Sequence, residues 1–243
     1  MVFWSGWAGR AGGQDQRNRG GCARTRHGGD SAGVVTVAVS GQPAESLSDA
    51  APGSRVAPAS AWWVLLAGVV GLIASATLTV EKIKILLNPS YVPSCSINPI
   101  LSCGSVMQTP QASVFGFPNP LMGIAAFTVV VVTGVLAVTK VALPQWYWIG
   151  LTAGTLAGAG FVHWLIFQSL YRIGALCPYC MVVWAVTIPL LVVVASTAFR
   201  PIIQGSALAR GLYHWRWSIT ALWFTAVILL ILARFWDYWS TLL

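Results

Sequence analysis

The chain has 243 residues, of which 56% are apolar and only 8% are charged, and its formal net charge is +8. A soluble domain normally carries about 25% charged residues, so this chain has too little charge to cover a surface that faces water. The composition therefore excludes an ordinary soluble enzyme.

Residues 1–60 differ in composition from the rest of the chain. They are rich in Gly, Ser, Ala and Arg, and they contain almost no Leu, Ile or Phe before Trp62. Such a segment cannot bury enough apolar surface to offset the entropy cost of ordering it, so we expect a disordered tail that includes Cys22. No apolar stretch typical of a secretory signal follows the early charges, so we expect the first span to act as an uncleaved anchor.

Five apolar runs follow, and each is long enough to cross the hydrocarbon of a bilayer. A spanning helix needs about 20 consecutive apolar residues, and none of the five runs contains Asp, Glu, Lys or Arg. A membrane barrel would instead need many short alternating segments. The sequence predicts an all-α, polytopic membrane protein whose five spans are Trp62 to Val80, Leu121 to Thr139, Trp146 to Phe167, Met181 to Phe199, and Trp217 to Ala233.

The positions of Lys and Arg favour a cytoplasmic N-terminus, because positive residues accumulate in cytoplasmic loops. In that orientation the inner segments hold 10 of the 14 Lys and Arg residues and the outer segments hold 4. Without the five tail residues before Arg55, the ratio is 5 to 4. We expect a multi-pass protein of the plasma membrane, in which the basic residues serve topology and contact with anionic lipid and bind no nucleic acid.

Four of the five cysteines form two pairs that reach the same side of the membrane. Cys95 and Cys103 follow the first span, and Cys177 and Cys180 lie at the start of the fourth. With the N-terminus inside, both pairs face the outer compartment, where disulfides persist. The shared location indicates bridges that are either redox-active or structural.

The C-x-x-C pair lies where a helix N-terminus stabilises a thiolate. Cys177 is expected among unpaired backbone N–H groups at the positive end of the helix macrodipole, and Pro178 suits the first helical turn. Cys180 lies three residues further on, roughly 4.5 Å deeper along the helix axis. We expect Cys177 to be the reactive thiol and Cys180 to be within reach of a lipid-soluble electron acceptor.

The segment from Glu81 to Pro120 is predicted to be an irregular outer loop, and loops of this length are usually functional. A mobile Cys95 and Cys103 pair there can exchange electrons between an external protein and Cys177. Two static disulfides are an alternative, although a C-x-x-C bridge closes too small a loop to stabilise a fold much. A four-sulfur zinc site needs closer spacing in the first pair, so no metal is predicted. Chance placement would require all four cysteines to share one face. A redox relay explains the pattern best.

Three motifs occur in a characteristic order. Cys95 is followed eight positions later by Ser102-Cys103, next comes Ser113-Val114-Phe115-Gly116, and last comes Cys177-Pro178-Tyr179-Cys180. Together they resemble the vitamin K epoxide reductase family, in particular its bacterial, actinobacterial-type members. The resemblance covers roughly Trp62 to Phe199. The related DsbB-type oxidases place C-x-x-C in the first outer loop, so the order here disfavours that family.

The resemblance implies a four-helix bundle around a quinone, capped by the outer loop, with a fifth transmembrane helix beside it. By this analogy Cys95 exchanges with a thioredoxin-like, DsbA-like partner on the outer side, Cys103 exchanges with Cys177, and Cys180 faces the quinone. The quinone is expected to be a menaquinone or a ubiquinone. The chain ends at Leu243, so we expect the partner to be a separate protein.

Two departures from the family pattern bear on the substrate. Vertebrate members that reduce vitamin K epoxide have an amide side chain and a Tyr at the positions that hold Ala112 and Trp184 in this sequence. Both positions contact the quinone head group in that branch. The departures favour plain quinone reduction over epoxide reduction.

Four residues are candidate quinone contacts, each with a structural alternative. Trp184, one turn below Cys180, stacks on the ring or else packs against protein and lipid, and Phe115 in the covering loop has the same two interpretations. His163 is an ionisable group inside the third span, and it either donates to a quinone oxygen or is a neutral imidazole bonded within the bundle. Ser113 either bonds the quinone or caps a short helix.

We expect three regions: a disordered cytoplasmic tail (1–60), a four-helix catalytic domain (61–200) with an outer loop (81–120), and a cytoplasmic loop followed by the fifth transmembrane helix (201–243). In the third span, Gly154 and Gly158 have the spacing that permits close helix packing.

The predicted function is that of a membrane thiol:quinone oxidoreductase, which re-oxidises its thioredoxin-like partner and so supports disulfide formation in exported proteins. The alternatives are a vitamin K epoxide or quinone reductase proper and a non-enzymatic scaffold stapled by disulfides. A transporter is disfavoured, because the spans carry no charge and show no repeat.

Overall fold

The computed structural model describes residues 56–241. Within this range the chain is helical apart from short connections and one isolated β-bridge, and five helices are long and apolar enough to cross a membrane. The predicted all-α, multi-pass architecture is therefore confirmed. In chain order the helices are α1 (Pro58–Leu87), α2 (Cys103–Met107), α3 (Asn119–Val138), α4 (Gln145–Phe167), α5 (Pro178–Ala198), α6 (Arg200–Gly205), α7 (Ala207–Arg234) and α8 (Trp236–Ser240).

The predicted disordered tail, including Cys22, lies outside the described residues except for its last five positions. α1 begins at Pro58, so residues 58–60 are helical and the tail prediction extends too far at its end. Proline favours the first helical turn because its φ angle is already helical and its missing N–H would have no partner there. The helix consequently starts before Trp62, the first residue of the predicted span.

α1 also continues past Val80, where the sequence predicted a loop. Its last two turns carry Glu81, Lys82 and Lys84, because a charge ends an apolar run without breaking a helix. Lys84 forms a salt bridge of 3.5 Å with Glu81 one turn earlier, and such a pair supports a helix. The predicted outer loop 81–120 therefore begins on a helix, and it also contains α2 and a 3₁₀ turn, Pro110–Ser113.

α1 is the central helix of the bundle. It packs most extensively against α3 and also against α5, while α4 packs against α5. The close approach of α1 and α3 depends on glycine, because a Cβ added at Gly134 would lie 2.6 Å from the Leu65 Cα atom. The four helices α1, α3, α4 and α5 thus form the predicted bundle.

Gly154 and Gly158 do not mediate close helix packing, contrary to the prediction. A Cβ added at either position would meet nothing within 4 Å. The spacing of small residues identifies a helix face that another helix can approach, but in this fold α3 approaches α1 instead. The glycines of α4 line an open space between α3 and α4.

α7 packs along the outside of the bundle and is attached mainly near its end. Ile231 and Phe235 are buried in a cluster with Leu176 and Trp184, and Arg234 Nε donates a hydrogen bond of 3.0 Å to the Leu170 carbonyl. The rest of α7 is largely exposed, as expected for a helix that faces lipid. We call the end of the bundle where α7 is attached the cysteine end, because all four described cysteines lie there.

Candidate functional site: two cysteine pairs at one end of the bundle

The first cysteine pair forms a disulfide. Cys95 and Cys103 are bonded, and their Cα atoms are 5.6 Å apart. Cys103 is the first residue of α2, and the preceding Ser102 caps that helix by accepting the Ser105 N–H at 3.3 Å. Two sulfurs that are bonded to each other are not available as thiolate ligands, so this state does not suit the zinc alternative.

A short parallel bridge brings this disulfide to the second pair. The Leu176 N–H donates to the Ile100 carbonyl at 2.7 Å, and the Ser102 N–H donates to the Leu176 carbonyl at 2.9 Å. Cys103 and Cys177 follow these bonded positions closely, and their Sγ atoms lie 3.3 Å apart. Both side chains are almost fully buried, so exchange between these two sulfurs is shielded from water.

Cys177 occupies the N-cap of α5, as its sequence position predicted, and Pro178 follows in the first turn. A hydrogen bond from the Cys180 thiol lowers the pKa of the Cys177 thiol, and the backbone N–H groups of Cys180 and Tyr179 add to this effect against the opposing effect of burial. Thiolate is the reactive form of cysteine. Cys177 therefore combines a lowered pKa with a position next to the loop disulfide, and Cys180 is a second free thiol beside it.

A cavity of about 100 Å³ lies next to the second pair. A single water needs roughly 10–15 Å³ on the same measure, so the cavity has room for several non-hydrogen atoms. Cys177, Cys180 and Trp184 form its α5 wall, and Leu78 and Lys82 form its α1 wall. A molecule bound in this cavity would therefore contact both free cysteines.

A larger groove opens sideways between α3 and α4, with a volume of about 880 Å³. It shares Leu165 and Val183 with the cavity, so the two spaces adjoin. The Thr133 and Tyr147 hydroxyls bridge α3 and α4 at 2.6 Å at the end remote from the cysteines. Apolar side chains and the bare backbone of Gly154 and its neighbouring glycines line the groove, which suits a hydrocarbon chain.

The four candidate quinone contacts are not all brought together. Trp184 lines the cavity, and within the described residues its buried indole N–H has no hydrogen-bond partner. Phe115 lies on the groove instead, is 60% exposed, and has its ring centroid 6.4 Å from that of Phe161. Ser113 lines neither space, and its carbonyl accepts the Gly116 N–H at 3.2 Å.

His163 faces α7, away from both the cavity and the groove. Its Nδ1 bonds to the Ala159 carbonyl at 2.7 Å, and its Nε2 accepts the indole N–H of Trp223 at 2.8 Å. Because Nε2 accepts a hydrogen bond, Nδ1 is the ring nitrogen that donates to the Ala159 carbonyl. The arrangement matches the bonded-imidazole alternative, with the fifth transmembrane helix supplying the partner.

The structure adds polar residues of the cavity that the sequence did not single out. Lys82 and Asn119 both line it. Asn119 fixes the covering segment, since its side chain accepts the Val114 N–H at 3.1 Å and donates to the Gln111 carbonyl at 2.7 Å. In the sequence, Lys82 stands out only as a charged residue shortly after an apolar run, within the predicted outer loop.

A comparison with protein families identifies a match over most of the bundle. The Vitamin K epoxide reductase family matches residues 62–195, which is more than half of the chain. The matched range contains all four cysteines of the site and ends before α7 begins. No curated protein gives a significant match.

Proposed function

We propose that this chain, which belongs to the vitamin K epoxide reductase family of membrane oxidoreductases, re-oxidises a thioredoxin-like protein and passes the electrons to a membrane quinone. The family uses a quinone as electron acceptor and generally works with thioredoxin-like partners. Here the partner is a separate DsbA-like protein, and the reaction supports disulfide formation in exported proteins. The single observation that carries the proposal is the 3.3 Å distance between the Cys103 and Cys177 sulfurs.

Electron transfer from the partner begins at the loop disulfide. A thiolate of the partner attacks Cys95, which breaks the Cys95–Cys103 bond and releases the Cys103 thiolate. Cys103 attacks Cys177 of an oxidised Cys177–Cys180 pair, forms the Cys103–Cys177 disulfide and releases Cys180. The second thiol of the partner displaces Cys95, and the partner leaves oxidised.

The relay resets when Cys95 attacks Cys103. This step restores the loop disulfide and releases Cys177, so two electrons and two protons have moved from the partner to the second pair. The helix N-terminus and the Cys180 thiol favour the Cys177 thiolate, and a leaving thiol with a lowered pKa leaves faster. The oxidation states in the structure, a loop disulfide beside two free thiols, correspond to the end of this step.

The cavity and groove fit a quinone with an apolar tail. A quinone supplies a site that accepts two electrons and two protons as the Cys177–Cys180 disulfide re-forms. Cys180 and Trp184 line the cavity, and the buried indole N–H of Trp184 is a donor for a carbonyl oxygen. The apolar groove between α3 and α4 accommodates the tail. The quinone is a menaquinone or a ubiquinone.

We infer that the substrate is a quinone and not an epoxide. Ala112 and Trp184, which replace the amide and the Tyr of the vertebrate enzymes, both line the cavity. Ala112 offers no side-chain hydrogen bond, and Trp184 is a donor without the acidity of a phenol. At these two positions the cavity wall therefore lacks the amide and the phenol of the vertebrate enzymes.

We infer an orientation with the cysteine end on the outer face of the plasma membrane and the N-terminus in the cytoplasm. The distribution of Lys and Arg supports it, and so does the loop disulfide, because disulfides persist in that compartment. The partner would thus reach Cys95 from outside. Labelling of single cysteines in intact cells with a membrane-impermeant maleimide tests the orientation.

Turnover of the purified full-length protein tests the whole proposal. A reduced DsbA-like donor is mixed with a menaquinone or a ubiquinone, and reduction is followed by quinone absorbance. We expect catalytic loss of the quinone absorbance in step with donor oxidation. Donor oxidation without quinone reduction would contradict the proposed acceptor, and cysteines that stay oxidised while the donor stays reduced would favour a scaffold held by disulfides.

A further inference from the structure

One charged side chain lines the cavity without an ionic partner. Lys82 is half-buried on α1, and it is the only Lys or Arg among the described lining residues. Its Nζ donates to the Met107 carbonyl at 2.5 Å, and no carboxylate of the described residues lies within salt-bridge distance of it. A half-buried cation with one neutral acceptor retains unused donors and an uncompensated charge.

The neighbouring Lys84 shows that this arrangement is specific to one position. Lys84 is 48% exposed, pairs with Glu81 at 3.5 Å and lies away from the cavity. Residues two positions apart on a helix differ by about 200° in direction around its axis, so the side chains of Lys82 and Lys84 point to different sides of α1. The chain therefore places Lys84 in an ion pair with Glu81 and Lys82 at the cavity.

The Met107 carbonyl fixes the direction of the Lys82 side chain. Met107 is the last residue of α2, and it also lines the cavity. Helix C-termini attract cations, because their last carbonyl groups lack partners within the helix. The Lys82 ammonium is therefore held at the wall of the cavity that Cys177 and Cys180 also line.

We propose that Lys82 is a quinone-binding residue whose ammonium donates a hydrogen bond to one carbonyl oxygen of the ring. The proposal rests on the proposed function and adds a named contact to it. Lys82 supplies positive charge where the oxygen gains negative charge, as two electrons leave Cys177 and Cys180 and their two thiol protons balance the reduction. A donor placed in advance at such a position stabilises the charge without reorganisation.

Lys82 and Trp184 would then act on the same ring from two walls. Lys82 comes from α1 and Trp184 from α5, and both line the cavity. A para-quinone carries its two carbonyl oxygens at opposite ends of the ring, so donors on different helices match that geometry. The pair selects a ring with carbonyl oxygens over an arene of the same shape.

Ligand binding without turnover tests this role. In full-length protein carrying Cys180→Ala, isothermal titration calorimetry measures binding of menadione and of 2-methylnaphthalene, which has the same rings but no oxygens. We expect Lys82→Met and Lys82→Gln to weaken menadione binding at least tenfold and to leave 2-methylnaphthalene binding within twofold. Lys82→Arg should retain most menadione affinity, and the control Lys84→Met should change neither ligand.

A second readout separates binding from packing. Gln at position 82 can still donate to the Met107 carbonyl, so the Cys103–Cys177 crosslink should form normally in Lys82→Gln and show that the cysteine end is assembled. Unchanged menadione affinity in Lys82→Gln, or equal weakening of both ligands, would overturn the role of Lys82 alone. Absence of menadione binding to protein that retains Lys82 would instead overturn the proposed quinone reaction.

Discussion

The parallel bridge between Leu101 and Leu176 is the contact that sets the two cysteine pairs side by side. Cys103 follows Leu101 by two residues and Cys177 follows Leu176 by one, so the backbone hydrogen bonds of the bridge fix the separation of the two sulfurs. The two sulfur atoms are positioned by backbone hydrogen bonds, which do not depend on the side chains of the bridging residues. The pairing therefore depends on the segments that present the bridge.

Removing Cys180 should trap the relay between its two pairs. In Cys180→Ala the Cys177 thiolate can still attack Cys103 of the loop disulfide and displace Cys95, but no neighbouring thiol can resolve the new bond from the side of Cys177. We expect the Cys103–Cys177 disulfide to accumulate in purified protein whose loop disulfide is formed, as measured by peptide mapping under non-reducing conditions. The change Cys22→Ala should leave turnover unaltered, and absence of the crosslink would contradict the relay.

The Asn98 side chain should control how fast the two pairs exchange. Its Oδ1 accepts the N–H groups of Ile100 and Leu101 at 3.0 and 2.7 Å, directly before the bridge. Loss of two hydrogen bonds at about 1 kcal/mol each predicts that Asn98→Ala forms the Cys103–Cys177 crosslink roughly thirtyfold more slowly. Asn88→Ala is the matched control, because the Asn88 side chain accepts the Ser90 N–H in an exposed turn, and the backbone carbonyl that accepts the Tyr91 N–H is retained in the variant. Equal rates in both variants would show that Asn98 does not set the bridge.

Alkylation of Cys177 should depend on pH in a way that reports its hydrogen bond from Cys180. The lowered pKa predicts that Cys177 reacts with iodoacetamide at a pH midpoint below that of an ordinary thiol, since the thiolate is populated at lower pH. Cys180→Ala removes the main cause, so the midpoint should rise. Cys180→Ser retains a hydroxyl donor and should give an intermediate midpoint. Mass spectrometry measures the modification, and a midpoint unaffected by Cys180→Ala would refute the assignment.

Filling the groove between α3 and α4 should weaken the use of quinones that carry a long tail and leave the use of tailless quinones unchanged. The space around Gly154 is open, so Gly154→Leu can be accommodated and even gains helix propensity of roughly 1 kcal/mol. We expect a several-fold higher KM for a long-tailed menaquinone and little change for menadione. Equal effects on the two substrates would argue against a tail in this groove.

A glycine on the other face of the bundle provides the packing control for that experiment. A Cβ at Gly134 would lie 2.6 Å from the Leu65 backbone, so Gly134→Ala forces α1 and α3 apart. Overpacking of this kind costs about 1–3 kcal/mol. The variant should unfold at lower temperature than Gly154→Leu in a detergent thermal shift assay.

The predictable features of this fold are those that a local segment determines. The apolar runs without charges predict the spans, because an apolar stretch of about 20 residues is stable in the hydrocarbon core of the bilayer. The position of Cys177 before Pro178 fixes the N-cap of α5, because proline has no N–H to lose there. Neither inference requires knowledge of a neighbouring segment.

The features that sequence reasoning missed are set by neighbours distant in the chain. The loop was predicted to begin at Glu81, but Lys82 lies on α1, and its side chain is directed by the Met107 carbonyl, 25 residues further on. Gly154 was predicted to mediate helix packing, but whether a small residue contacts another helix or lines an open space depends on which helix lies next to it. His163 was a candidate for the cavity until the position of Trp223, 60 residues away, decided which way the imidazole faces.

The gap between α3 and α4 gives the cavity an entrance that faces the lipid and not the water. A hydrocarbon-soluble reactant can therefore reach the groove by lateral diffusion within the leaflet. The supply of the reactant is then governed by its mole fraction in the lipid, and its encounters with the protein become rarer as the viscosity of the acyl chains rises. Cooling a membrane through its gel transition would slow such delivery even where the sulfur chemistry is unaffected.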